Sequence, residues 1–249
     1  MASIDSTPTS RSSKSQVLLI PWDPTSPDHV QRMVQQRIAC GWSQEDVEGW
    51  RERQETGTLN LQWIVFEDSE PDRDAKLLKH TQTYPQEQEP LVDSAILFGG
   101  KTRAIPSPQK KFIPVGHISL GRVPAAYEHL GLTNEEGAYW IGVLYVSRAL
   151  HGTGLGRKTM DTIENVATSE PLCAKILALN AITTDDPETE EKYKALGLEI
   201  PKAIERFSNH EWYARRGYQI YNREEKCFSH ADATGKAWWW GALFMKKHI

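Results

Sequence analysis

Apolar residues fall into short blocks separated by polar stretches rich in proline and glycine, and the spacing inside the blocks changes along the chain. Residues 16–20 form a compact apolar run stopped by Pro21 and Pro24, which predicts a strand. Ser26-Pro27-Asp28 is a helix start; Val30, Met33, Val34 and Ile38 then recur at helical spacing up to Gly41. Ser43, with Asp46 three residues on, has the form of a capping box, so a second helix is expected from there to about residue 54. Strands are predicted at 59–66, 112–120 and 138–146, and a glycine cluster follows the last of them. A helix over 155–167, a densely apolar strand over 175–182 and a helix ending at Gly217 come next. Strands near 218–222 and 238–246, joined through Asp232-Ala233-Thr234-Gly235, close the pattern.

Two stretches interrupt this rhythm. Residues 67–110 begin acidic and carry Pro71, Pro85, Pro90, Pro106 and Gly99-Gly100, with one apolar patch at 95–98. A connection of that length without structure of its own is expected to be a lid or a disordered insert. Residues 183–205 read as a second polar insert. The Ser/Thr-rich residues 1–14 lack the apolar stretch of a secretory signal and are expected to be a disordered tail. The order β-α-α-β-β-β-α-β-α-β-β predicts an α/β chain folded as one domain over 15–249.

Composition narrows the function classes. Among 249 residues, 29 basic side chains face 33 acidic ones for a net charge of −4, which argues against a nucleic-acid partner. No apolar run approaches the ~20 residues that cross a bilayer, so no membrane partner is expected. Cys40, Cys173 and Cys227 lie far apart, and neither CxxC nor HExxH occurs. Neither a metal site nor a disulfide framework is expected, and a reducing, cytoplasmic setting fits best. Nine tryptophans are in excess, including Trp22, Trp42 and the run Trp238-Trp239-Trp240. Core filling accounts for them most simply; an aromatic-lined pocket is the sharper alternative.

The chemically informative stretch is VLYVSRALHGTGLGRKTM, residues 143–160, where a strand ends at Val146 and Gly152, Gly154 and Gly156 lead into a helix. Alternate glycines let backbone approach a ligand closely, and the free amides of a helix start make an anion site suited to phosphate or pyrophosphate. A Walker A loop is excluded, because His151, Arg157 and Lys158 stand where Gly, Lys and Ser/Thr are required. The dinucleotide fingerprint GxGxxG is also excluded: the third glycine comes one residue early and the motif lies too late in the chain.

The stretch resembles motif A of the GNAT (GCN5-related) N-acetyltransferase family, with His151 where the family carries Gln or Arg. Further on, Tyr213-Ala214-Arg215-Arg216-Gly217-Tyr218 resembles the family's helix signature Tyr-x-x-x-Gly-[Phe/Tyr]. The resemblance implies an acyl-CoA N-acyltransferase fold, with a mixed central sheet splayed at the CoA-binding strand and flanked by helices. It implies acetyl-CoA as co-substrate, held by backbone at Leu144 and Val146 and by His151, Gly152, Thr153, Gly154, Leu155, Gly156 and Arg157, with Arg148 as a second source of charge. It implies direct transfer to an amine, with Tyr213 near the sulfur. The acceptor is expected to be a small-molecule amine, and a homodimer is the assembly carried with it. A protein or peptide acetyltransferase and a non-catalytic acyl-CoA-binding module are the rivals.

The amine must lose a proton to attack. At pH 7 this costs about 4.6 kcal/mol for a lysine-like amine and about 1 kcal/mol for an α-amino group. Six and four residues before Val146, where the family often carries Glu or His, stand Trp140 and Gly142. The remaining candidates for a base are Glu135 and Glu136, otherwise a solvated loop, and His117, otherwise a core histidine. Trp42, Tyr84, Tyr193 and Trp238 are expected to wall an apolar acceptor pocket under a 67–110 lid, and the acidic run from Asp185-Asp186 to Glu191 would suit a polycation instead.

Overall fold

A computed structural model describes residues 17–183, 185–198 and 208–249. The expected disordered tail and part of the second insert lie outside the described residues. The chain runs β1 (Val17–Pro21), α1 (Pro27–Cys40), α2 (Val47–Glu55), β2 (Leu61–Phe66), α3 (Arg73–Thr83), β3 (Leu91–Val92), β4 (Leu97–Phe98), β5 (Lys101–Thr102), β6 (Lys111–Phe112) and β7 (Gly116–Gly121). It continues β8 (Ala138–Val146), α4 (Leu155–Thr168), β9 (Ile176–Ile182), α5 (Thr189–Ala195), α6 (Asn209–Ala214), β10 (Gln219–Ala231) and β11 (Ala237–His248). A seven-stranded sheet has the order β1-β2-β7-β8-β9-β11-β10, antiparallel except for the parallel β8–β9 pair.

Both faces of the sheet are covered, which explains why its inner strands read as continuous apolar runs. Along β2, Leu61, Trp63 and Val65 pack with Met33 and Trp50 under α1 and α2. Ile64 and Phe66 point the other way, into a cluster with Ile118, Ile141, Met160, Ile163 and Leu177 beneath α4. These are called the α1 face and the α4 face below.

The caps of α1 form as predicted: Ser26 accepts from the His29 amide, and Gly41 takes the left-handed conformation at φ 86°. The box predicted at Ser43 does not form. Ser43 lies in a left-handed turn at φ 54°, and α2 starts at Val47 without a side-chain cap.

The larger correction concerns residues 67–110, which are neither structureless nor a loose lid. They contain α3, a turn of 3-10 helix at Pro85–Glu87 and two short strand pairs, β3–β6 and β4–β5. Periodicity misses this segment because polar contacts fasten it as much as apolar ones. Glu70 pairs with Lys76 and Lys158, Arg103 grips Asp93 through two bonds of 2.6 and 2.7 Å, and His80 reaches Ser147.

Candidate active site

The central strand pair comes apart. Parallel pairing of β8 with β9 covers only Ala138↔Ile176, Tyr139↔Leu177 and Trp140↔Ala178. From Ile141 onward β8, which runs on to Val146, and β9, which runs on to Ile182, are no longer paired, leaving a wedge between them. On its other side β8 stays paired to β7, with a bulge that sets Val143 and Leu144 between the pairs Ser119↔Gly142 and His117↔Tyr145. Val143 takes φ 52°, a conformation costly for a β-branched residue. Such strain, about 1–3 kcal/mol, is sustained only where surrounding structure fixes it. Beside this bulge, the edge of β8 that faces the wedge presents main-chain groups not taken up by a β9 ladder.

The glycine loop lies past the end of β8 and leads into α4. Gly154 is the residue before the helix, at φ 83°, and no side chain caps it. The first-turn amides therefore point outward without an internal acceptor, and the turn carries no acidic side chain. Gly152 takes φ 82°, and a side chain at either glycine would meet open space, so the loop is exposed. Arg157 is exposed on this turn and makes no ion pair among the described residues. His151 is exposed, with its ring folded back on the end of the strand. Its Nε2 lies 3.2 Å from the Val146 carbonyl; burial and the neighbouring Arg148 hold its pKa below the usual value despite that hydrogen bond. Thr153, also exposed, donates to the Leu150 carbonyl at 2.7 Å.

Tyr213 arrives through α6, which a capping box of Ser208 and Glu211 starts. Trp212 sits against Gly156 at the beginning of α4, and Tyr213 packs into the same α4-face cluster as Leu144 and Val146. The structure thus brings the tyrosine, the motif strand and the glycine loop together. Burial pushes the Tyr213 phenol up to about 12.

The candidate bases fare differently. Glu136 is exposed at the opposite end of β8, 3.7 Å from Lys175. At 3.3 Å per residue it is roughly 25 Å from Leu144, so the structure does not bring it to the wedge. His117 is fully buried on the α1 face. Its Nδ1 is 2.9 Å from Gln36 Oε1, and Arg37 donates to its Nε2 at 3.3 Å. Burial and the Arg37 charge hold its pKa well below the usual histidine range. This is a neutral histidine with both ring nitrogens occupied.

Residues that the sequence reading passed over stand on the stretches of β8 and β9 beyond their pairing. Asn180 is two residues beyond the last β8–β9 pair and, like Ala178, on the α1 face; its Nδ2 donates to Tyr127 Oη at 3.1 Å. Its signal was available, since it is the one polar residue inside the apolar run 176–182. Tyr145 lies on the same face, its ring 5.4 Å from His117.

Residues 57–198, more than half of the chain, match the family model described as the acetyltransferase (GNAT) family. The chain belongs to the GNAT acetyltransferase family. The match includes the wedge and the glycine loop but ends before α6. No curated protein matches this acetyltransferase in sequence. Among solved structures, Arabidopsis thaliana NAA60 in complex with a bisubstrate analogue superposes with a TM-score of 0.50 at 12% identity, covering 94% of this chain and 99% of that one. The same protein with acetyl-CoA gives 0.50 at 11%, with the same coverage. A spermidine N-acetyltransferase SpeG chimera from Vibrio cholerae and hSSAT gives 0.50 at 8%, covering 94% and 96%. At such identities the likeness establishes the fold alone. The mixed sheet, split at one parallel pair and flanked by helices, is the GNAT fold. Among the described residues no cluster of metal-ligating side chains occurs, and no helix is long and apolar enough to cross a membrane.

Proposed function

We propose that this acetyltransferase holds acetyl-CoA along the first turn of α4 and the β8–β9 wedge, and passes the acetyl group directly to the amine of a small, partly apolar molecule. The observation that carries the reading is the end of strand pairing at Trp140↔Ala178, beside an uncapped, glycine-flanked helix start. The outward amides and Arg157 suit the pyrophosphate. The free edge of β8 suits an extended chain of amides such as pantetheine. The NAA60 structure with acetyl-CoA, the same fold, supports that cofactor.

The acceptor enters from the α1 face, where aromatic side chains gather. Trp42 stacks edge-on with Trp240 and His230 at 5.1 and 4.7 Å, and Tyr193 meets Trp240 at 5.0 Å. Of the walls expected from sequence, Trp42 and Tyr193 are in this group. Trp238 is instead tied to Asp232 in the hairpin, and Tyr84 packs against His80. The start of the acidic run is spent internally: Asp185 pairs with Arg223 and Asp186 with Lys192. What remains favours a planar or apolar amine over a polycation.

Thiol release from acetyl-CoA, measured with an arylalkylamine, spermidine and a short peptide with a free N-terminus, tests the proposal. The arylalkylamine is expected to give the highest kcat/KM. Preference for spermidine or peptide would overturn the acceptor class, and binding of acetyl-CoA without release for any amine would mark a non-catalytic acyl-CoA module.

A further inference from the structure

The edge of β8 that faces the wedge ends on a carbonyl that already has a donor. Successive residues of a strand in an antiparallel pair turn their main-chain groups to alternate edges. Ser147 donates its amide to the Val115 carbonyl of the β7 side at 2.9 Å. Val146, the residue before it and opposite Gly116, therefore turns its carbonyl away from β7 and toward the wedge. That carbonyl accepts from His151 Nε2 at 3.2 Å, the one hydrogen bond of the ring among the described residues. His151 is exposed in the loop between β8 and α4, next to Gly152, where the chain borders open space. With its pKa below the usual value, the ring is neutral at pH 7 and has one N–H to give, and Val146 takes it. Such a ring brings no positive charge to a pyrophosphate. An extended chain of amides laid along this edge needs the same carbonyl for one of its own N–H groups.

We propose that His151 is a latch on the cofactor site: its ring holds the Val146 carbonyl until the pantetheine arm displaces it, and takes the carbonyl back as the product leaves. The proposal rests on the acetyl-CoA site described above and adds the residue that sets how tightly the arm is held. The arm brings an amide N–H as the ring withdraws its own, so the carbonyl keeps a partner before and after the exchange. Lifting the ring costs part of what the arm gains. Acetyl-CoA therefore binds less tightly than the glycine loop and the strand edge alone would allow, and CoA leaves more readily. The sequence reading expected His151 to help hold the cofactor; this geometry gives its contribution the opposite sign.

The test measures dissociation constants for acetyl-CoA and for ADP, which carries the pyrophosphate and no arm, by titration calorimetry on the wild-type chain and on His151→Ala. Truncating an exposed side chain leaves the fold intact, which an unchanged Tm without ligand verifies. His151→Ala is expected to bind acetyl-CoA about 5-fold more tightly, the effect of one net hydrogen bond that the arm no longer has to break. Its constant for ADP should equal that of the wild type. Weaker binding of acetyl-CoA or of ADP by the variant would make His151 a cofactor contact and overturn the latch. Equal acetyl-CoA constants would mean that ring and arm share the carbonyl, which overturns it as well. The wild-type chain reads the underlying site separately: no acetyl-CoA binding there overturns the cofactor reading and the latch with it.

Discussion

Tyr213 and His117 flank the motif strand from opposite faces, and their surroundings give them different work. Since burial pushes the Tyr213 phenol to about 12, it stays protonated at any ordinary assay pH. Handing that proton to a thiolate whose conjugate acid has a pKa near 8.5 is uphill by about 5 kcal/mol. We therefore propose Tyr213 as a hydrogen-bond donor to the departing sulfur rather than as its acid. Tyr213→Phe should lower kcat on the order of 10- to 100-fold, measured where chemistry limits the rate, with little change in acetyl-CoA affinity. An unchanged kcat would make it a packing aromatic only. Its position was legible in the sequence through the Tyr-x-x-x-Gly-Tyr spacing. His80, Glu87 and Ser147 were not, because their contact joins residues far apart in the chain and none sits in a recognisable local pattern.

The α3 segment is tied down by one buried carboxylate. Glu70 receives Lys158 of α4 at 2.7 Å and Lys76 of α3 at 2.6 Å. Burial works against its charge, yet the hydrogen bonds from Lys158 and Lys76 leave its pKa below the usual carboxylate value. A depressed folded-state pKa adds stability that is present above the unfolded value and is lost as pH falls through the folded one. Glu70→Gln should cost about 2 kcal/mol at pH 7, a fall in Tm on the order of 5 °C. Thermal melts between pH 7 and 3 should show the gap between the two proteins closing below about pH 4.3. A gap that does not narrow as pH falls below that value would mean that packing, not the ion pairs, holds the segment. The segment's tie to the core also removes the lid expectation: Leu91, Ala95 and Phe112 are buried, so its deletion would expose the core rather than open a pocket.

At the scale of the whole molecule, the inner strands along the chain and the glycine loop were legible because those strands are apolar on both faces and the loop carries its own backbone requirement. Residues 138–146 and 155–167 came out nearly as predicted for that reason. The wedge itself followed only from family resemblance, since no periodicity reports that two parallel strands part after Trp140. The aromatic group on the α1 face was legible only in part: Trp42 and Tyr193 were expected together, whereas His230 and Trp240 join them from other elements through tertiary structure. The 152–156 backbone and the open strand edge are proposed to hold acetyl-CoA. The most direct test is the acetyl-CoA-induced rise in Tm, read in the natural protein and in Gly154→Val. A valine cannot hold φ 83° without strain, so its backbone should turn away and close the amide nest, while the exposed loop leaves the fold intact. A clear rise in Tm is expected in the natural protein and none in the variant; an equal rise in both would contradict acetyl-CoA binding at this loop.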